Sequence, residues 1–459
     1  MSATTNRPDP VEAEIERALD PGRFVSDRGC FRFVDGLERV AATIGRLVAD
    51  DAERAATLYE TFLAGCYEKA EEVDDSSGSF GMFAQILISG WVAARQGAHA
   101  SPQQTTTRLL AWMDGDQYGF CHRLENQIAT VFDEVGLAVF IDQIRSRFEA
   151  ADQATPAAVG SDQADRDARR RRAETTRWAE VLRSLYAAGG DLDVYVELAE
   201  RTGLTADDCL TVANLLVTRG DPTQALAWVE RGLQVDADRP YPSFAAHSLT
   251  ELKPRLLADL GHGDQALETA WADYRKHPDR YSYDHLMTFV LHAERPGWHD
   301  RAITEALDGD RYLPAVIELL LHTDETGRLG QLAARTSDSS WESVGHHAAE
   351  QAGTALEPGY PGEAARIWRA AGRRILEAGK SKYYGAALRY FDHAKRCYQQ
   401  ASQPDQWQQV VDEVYAQHGR KTSFLPGFDA VVTGIDPTHN RPSSILDQAK
   451  ARWGRHVTE

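Results

Sequence analysis

The sequence predicts an all-α chain, a helical bundle followed by an α-solenoid of stacked hairpins, on three observations. The chain repeats itself: Leu215-Leu216, Gly220 and Gln224-Ala225-Leu226 lie over Leu256-Leu257, Gly261 and Gln265-Ala266-Leu267, at a constant offset of 41 residues. Apolar residues recur at three- and four-residue steps along most of the chain, the period of a helix with one buried face. No stretch gives the sustained alternation of a half-buried strand, so almost no strand is expected.

Each copy of the repeat reads as helix, short glycine-containing turn, helix. That is a tetratricopeptide-like hairpin, slightly longer than the usual ~34-residue unit. In the first copy Ala225, Trp228, Val229, Gly232 and Leu233 share a helix face; in the second Ala266, Leu267, Ala270, Trp271 and Tyr274 do. Gly220 and Gly261 stand where a first helix ends, a position that favours the left-handed conformation. Asp221 and Asp264 are placed to cap the helix that follows. Leu226 and Leu267 are expected to be equivalent buried positions. One hairpin cannot bury both of its apolar faces, so neighbours must stack.

In chain order, residues 1–30 read as a flexible N-terminus with one short helix over Val11–Leu19. Residues 31–149 read as an N-terminal helical domain, with helices over Val34–Ala49, Asp51–Val73, Phe80–Gln96, Pro102–Asp114, Tyr118–Val135 and Leu137–Phe148. The stripe Phe80, Phe83, Leu87, Trp91, Ala94 is the clearest of these. Residues 150–175 read as a linker, since Ala150 to Asp167 is rich in Ala, Gln, Asp, Pro and Gly without apolar periodicity. Residues 176–418 form the expected solenoid. Within it Ala387, Phe391, Ala394 and Tyr398 make one seam, and Trp407, Val410, Val411 and Val414 the next. Residues 419–459 read as an irregular tail with a short helix near Ser443–Trp453.

The formal net charge is −19. That disfavours bulk nucleic acid or an anionic membrane as the main partner, because neutralising phosphates requires a basic surface. The longest apolar run, near Phe83 to Ala94, is too short to span a bilayer. Five cysteines with no C-x-x-C pair give neither a disulfide framework nor a zinc spacing. Met1 to Pro10 is polar with no apolar core of a signal peptide. A cytoplasmic location follows as the expectation.

From Tyr383 to Phe424, the wording Tyr384-Gly385-Ala386-Ala387-Leu388, Ala394-Lys395-Arg396-Cys397-Tyr398 and His418-Gly419-Arg420-Lys421-Thr422-Ser423-Phe424 resembles the C-terminal helices of bacterial SWIM zinc-finger proteins. It also resembles a family of uncharacterised, largely helical bacterial proteins that carry those helices without the finger. Asp74-Asp75-Ser76-Ser77-Gly78 and Asp114-Gly115-Asp116-Gln117-Tyr118-Gly119-Phe120 look like recurring phrases of that second family. The chain has no C-x-C followed by C-x-H, so the finger's zinc site does not carry over, and the resemblance implies no activity.

The remaining candidates each have a structural and a functional reading. Asp74 and Asp75 are read first as acidic groups favoured near the N-terminus of a helix that Ser77 or Ser79 caps, and Asp116 as the cap of the Tyr118 helix; the second reading joins Asp74, Asp75, Asp114 and Asp116 as oxygen ligands of a hard cation, which requires their two loops to converge. Arg169, Arg170, Arg171 and Arg172, within the strip Arg166–Arg177, are read first as a solvated helix face above inward-facing Trp178, Val181, Leu182 and Leu185. Their second reading is a docking strip for an acidic surface or nucleic acid. Glu342, His346 and Glu350 are spaced to share one helix face; His285, His292 and His299 recur every seven residues and are read as structural. No catalytic constellation and no cofactor motif is present; Gly220, Gly261 and Gly263 lack the preceding strand of a phosphate loop. The leading expectation is a non-catalytic scaffold or adaptor that binds another protein or an extended peptide. A metal-dependent enzyme and a nucleic-acid-associated protein are the alternatives, and the sequence is silent on oligomeric state.

Overall fold

The computed structural model describes residues 10–153, 162–237, 239–309 and 311–435, with all their side chains except those of 162–165. The fold is all-α, a helical bundle followed by a tetratricopeptide-like α-solenoid. Among the described residues the one bridge of β type pairs Val25 with Val73.

The chain divides into two compact units, one through Thr250 and one from Glu251. The first holds α1 (Pro10–Leu19), α2 (Asp27–Leu47), α3 (Ala52–Lys69), α4 (Ser79–Gly97), α5 (Pro102–Gly115), α6 (Leu124–Val131), α7 (Glu134–Asp152), α8 (Asp162–Gly189), α9 (Leu192–Thr202), α10 (Ala206–Thr218), α11 (Pro222–Asp236) and the start of α12 (Phe244–Asp259). The second holds the rest of α12, then α13 (Gly263–Lys276), α14 (Arg280–Thr288), α15 (Arg295–Leu307), α16 (Leu313–His322), α17 (Thr326–Arg335), α18 (Asp338–Ser343), α19 (His346–Leu356), α20 (Pro361–Ala378), α21 (Tyr384–Gln400), α22 (Pro404–His418) and α23 (Leu425–Thr433).

Within each unit a helix packs mainly on its sequence neighbours. In the first unit α1 meets α2 and α3, α2 meets α3 and α4, and α10 pairs with α11; in the second α14 meets α15 and α16, α17 meets α19 and α20, and α20 pairs with α21. Such near-neighbour packing is how a hairpin array buries its faces. The α4 stripe is core: Phe80, Phe83, Leu87, Trp91 and Ala94 are all buried.

The repeat turns form as expected. Gly220 and Gly261 adopt φ of +76° and +81°, and the Asp221 carboxylate accepts the Gln224 N–H at 3.0 Å. Asp264 differs: His262 occupies the cap position of α13, and Asp264 lies in the first turn without a capping bond. The leucines differ too. Leu226 and Leu267 are both half-buried, whereas the adjacent Ala225 and Ala266 are buried completely. The contact line runs through the expected faces, Ala225, Val229 and Gly232 in α11 and Ala266, Ala270, Trp271 and Tyr274 in α13, and the two leucines sit at its edge. Because of the left-handed turn, Gly261→Ala is expected to cost about 1 kcal/mol. Gly263→Ala, at a helical position with open space around its Cβ, should be neutral or slightly stabilising; thermal melts of the two variants check the pair.

Three other expectations are corrected. α1 lies inside 1–30, yet it packs on α2 and α3 and buries Ile15 and Leu19. The helix expected over Tyr118–Val135 is cut to α6, because Asp116 gathers the amides that follow it into a turn and Arg123 takes a positive φ. The tail from 419 contributes α23, and Phe424 and Phe428 are fully buried against Phe391. The helix expected near Ser443–Trp453 lies outside the described residues. So do residues 154–161 of the Ala150–Asp167 stretch; its two ends belong to α7 and α8, which pack against each other.

Rings laid on glycines recur in the second unit. A Cβ at Gly353 of α19 would fall 2.6 Å from the Trp368 ring of α20. One at Gly330 of α17 would fall 2.6 Å from the Tyr360 ring, and one at Gly372 of α20 would fall 2.9 Å from the Phe391 ring of α21.

Candidate functional site

The two acidic loops of the first unit converge around a cluster of aromatic rings. Phe80 and Phe120 meet edge-on with centroids 5.6 Å apart, and Tyr67 lies 4.8 Å from Phe120. The carboxylates serve the chain ends around those rings. Asp75 accepts the Phe80 and Gly81 amides of α4, each at 2.8 Å. Asp116 accepts the Phe120 amide at 3.1 Å, the Cys121 amide at 2.7 Å and the Tyr67 hydroxyl at 3.2 Å. Asp74 accepts the Ser76 amide and hydroxyl, which hold its carboxyl below the usual range. Asp114 pairs with Arg147 at 2.7 Å. Burial, with Asp116 beside it, pushes the Cys121 thiol up to about 12.

Among the described residues no group of three or more His, Cys, Asp or Glu is placed to hold a metal ion. Asp75→Ala should therefore cost the value of a lost helix cap, about 0.5–2 kcal/mol. The urea midpoints of wild type and variant should not move when Mg²⁺, Mn²⁺ or Ca²⁺ is added; an ion-dependent gain present only in the wild type would instead support a cation held between the loops.

On α8, Trp178, Val181, Leu182 and Leu185 are buried as expected. Arg166, Arg169, Arg170 and Arg172 are exposed and Arg171 is half-buried. Arg166, Arg169 and Arg170 share a face by their spacing, and Arg170 meets Asp167 at 3.8 Å. Arg177 leaves the strip: it donates to the Met113 carbonyl at 2.6 Å and lies over the Trp178 ring. Glu342 and His346 fall on different helices, α18 and α19, so the predicted three-residue row does not exist. Glu342 pairs with Arg373, and Glu350 accepts the Tyr390 hydroxyl.

The polar arrangement with the most chemical content lies in the second unit. His299 of α15 is hydrogen-bonded on both ring nitrogens, Nδ1 to the Tyr283 hydroxyl of α14 at 2.7 Å and Nε2 to Glu325 at 2.8 Å. Glu325 stands at the N-terminus of α17 and meets Arg328 at 3.5 Å; Arg328 in turn pairs with Asp300. A carboxylate only accepts, so Nε2 carries a proton; with neutral imidazole, Nδ1 then accepts the Tyr283 O–H. Burial, with Asp284 next, raises the Tyr283 hydroxyl above its ordinary range, so the phenol stays protonated. Tyr283 and His299 border a surface hollow of about 430 Å³, with Asp284, Thr288 and Arg295 also on its walls. Asp284 is held by His322 of α16 at 2.8 Å.

Of this chain the sequence singled out only His299, and within a spacing of sevens that the structure does not use. His285, His292 and His299 lie on α14, a 3₁₀ turn and α15. Tyr283, His299 and Glu325 come from three helices, so no local motif announces them.

The packing defines the chain as an all-α helical-repeat protein. It belongs to a family of unknown function, DUF6880, whose model matches residues 5–426. That is the coarser of the two resemblances read from the sequence. No curated protein matches the chain. Among solved structures it is similar to the complex of Naa15 and Naa10 bound to HypK-THB, at 11% identity, over 96% of this chain and 71% of that one, with a TM-score of 0.34. It is similar to the TPR domain of P58(IPK) at 10% identity, over 94% and 100%, with a TM-score of 0.22. It is also similar to a circular tandem repeat protein at 13% identity, over 92% and 96%, with a TM-score of 0.18. At such TM-scores the likenesses carry no weight for the fold, which stands on the helices and their packing. Among the described residues no helix is long and apolar enough to cross a membrane.

Proposed function

We propose that this protein is a non-catalytic helical-repeat scaffold that binds another protein along one edge of the second unit. The observation that supports this is a pair of tyrosines left in water. Tyr281 begins α14 and is 64% exposed; Tyr312 immediately precedes α16 and is 76% exposed. α14 and α16 pack on each other and are tied by Arg280 and Glu318 at 3.3 Å, with the Arg280 guanidinium over the Tyr281 ring. Rigid aromatic side chains that join an apolar face to a polar tip are the usual anchors of protein interfaces. The five cysteines, all free and buried, support a reducing compartment such as the cytoplasm.

Photo-crosslinkers placed at Tyr281 and Tyr312 should capture one partner in near-stoichiometric yield from native extract. A crosslinker at the equally exposed Phe24 should not, and the double variant Tyr281→Ser/Tyr312→Ser should lose the partner while keeping its melting temperature. Identical background at all three positions would sink the reading.

The exposed Arg166, Arg169 and Arg170 face favours a second contact, with an anionic segment of the partner or with nucleic acid. Affinity for either should fall steeply with salt, and charge reversal at Arg169 and Arg170 should abolish it. Binding indifferent to both would remove this contact.

A further inference from the structure

We propose that the hollow between α14 and α15 binds a small oxyanion, a carboxylate or a phosphate, and that binding is coupled to proton uptake by His299. The inference is independent of the scaffold reading. It starts from the two hydrogen-bonding states open to the chain Tyr283–His299–Glu325. With neutral imidazole, Nε2–H is committed to Glu325 and the Tyr283 proton to Nδ1, so the hydroxyl has no proton to offer the hollow. With imidazolium, both ring nitrogens donate. Nε2–H still meets Glu325, Nδ1–H now meets the Tyr283 oxygen, and the O–H proton is released to a new acceptor. Protonating His299 thus turns Tyr283 from a hydroxyl without a free proton into a donor at the wall of the hollow.

The charges around the site fit that state. Glu325 lies against His299 and neutralises the imidazolium. Arg328 and Asp300 compensate each other beyond it. On α14 the Asp284 carboxylate is engaged by His322 of α16, and the Thr288 hydroxyl donates to the His285 carbonyl at 2.6 Å. Arg301, further along α15, lies over the Trp271 and Trp298 rings. Arg295 remains: it lines the hollow, is exposed, and has no hydrogen bond or ion pair among the described residues. An oxyanion there takes one charge-assisted contact from Arg295 and one hydrogen bond from Tyr283.

Imidazole is the side chain that ordinarily changes charge between about pH 5 and 8. If the anion prefers the protonated relay, linkage requires that binding take up protons and tighten as pH falls through that window. Isothermal titration of the full chain with sodium sulfate, whose charge is constant there, reads this directly. From pH 8.0 to 5.5 the affinity should rise about five-fold or more, the usual size of such a coupling. Paired buffers of different ionisation enthalpy should report net proton uptake. Arg295→Ala, at an exposed position, should weaken binding about ten-fold, the loss of one charge-assisted contact. His299→Gln should still bind but lose the pH dependence. Inorganic phosphate and acetate titrated at pH 7.5 separate the two ligand sources, the tighter one naming the class. Sulfate affinity that is equal in wild type and Arg295→Ala, or flat with pH in the wild type, would overturn the proposal.

Discussion

Asp208→Ala is expected to cost about 3 kcal/mol of unfolding free energy, the lower end of the range for breaking a buried ion pair, because Asp208 is buried and its partner Arg183 half-buried. Asp208 is buried at the start of α10. Its oxygens accept Arg183 Nη1 at 2.9 Å, the Tyr195 hydroxyl at 2.9 Å, and the Thr205 amide and hydroxyl at 2.9 and 2.7 Å. One side chain therefore closes the capping box of α10 and ties it to α8 and α9. Burial alone would raise its carboxyl; the Thr205 and Arg183 hydrogen bonds together outweigh burial and hold it below the usual range. The sign of the pH effect follows. A carboxyl with a depressed folded value stabilises the fold fully above its unfolded value, about 3.9, and loses that contribution as pH falls through the folded value. Urea midpoints of wild type and Asp208→Asn should differ by a constant amount above about pH 5 and converge on acidification below about pH 4. A difference that grows in acid would contradict the buried ion pair.

Phe391→Ala is expected to cost about 3–5 kcal/mol, the range for emptying an aromatic site in a close-packed core. Phe391 is fully buried on α21. Its ring lies 5.2 Å from Phe428 and 6.2 Å from Phe424, and its edge covers Gly372. Phe428 of α23 and Phe424 just before it rest on this ring, so hydrogen exchange in Leu425–Thr433 should accelerate first. The Phe80–Ala94 stretch of the other unit should keep its protection, because a repeat array passes damage mainly to neighbours. Uniform loss of protection along the whole chain would mean a single cooperative core.

What could be read from the sequence is what depends on neighbours within a turn or two. The α4 stripe, the Gly220 and Gly261 turns, the cap at Asp221 and the buried face of α8 are all local, and all are found. The faces of the repeat's second helices were legible through Ala225, Val229 and Gly232 and through Ala266, Ala270, Trp271 and Tyr274; that Leu226 and Leu267 lie only half-buried beside them was hidden, because periodicity locates the edge of an apolar face only to within one residue. α23 was hidden because Phe424 and Phe428 are too few to show a period and gain meaning only from Phe391. The polar chain through His299 was hidden for the same reason at longer range: Tyr283 and Glu325 are brought to it by packing among α14, α15 and α17. The aspartates were legible as residues with a task. Which task depended on whether their loops present oxygens to each other or to their own helix ends.

The ring-on-glycine contacts of the second unit bear on how such a chain can change. Trp368 requires the bare backbone of Gly353, Tyr360 that of Gly330, and Phe391 that of Gly372. Each is a lock cut for one neighbour, with a different ring and a different helix pair. Hairpins here are therefore not interchangeable modules, and duplicating one or exchanging two would set a ring against a Cβ at the new seam. A lineage of such proteins is free to drift at its exposed helix faces and turns. It can gain or lose a hairpin only when ring and glycine are inherited together.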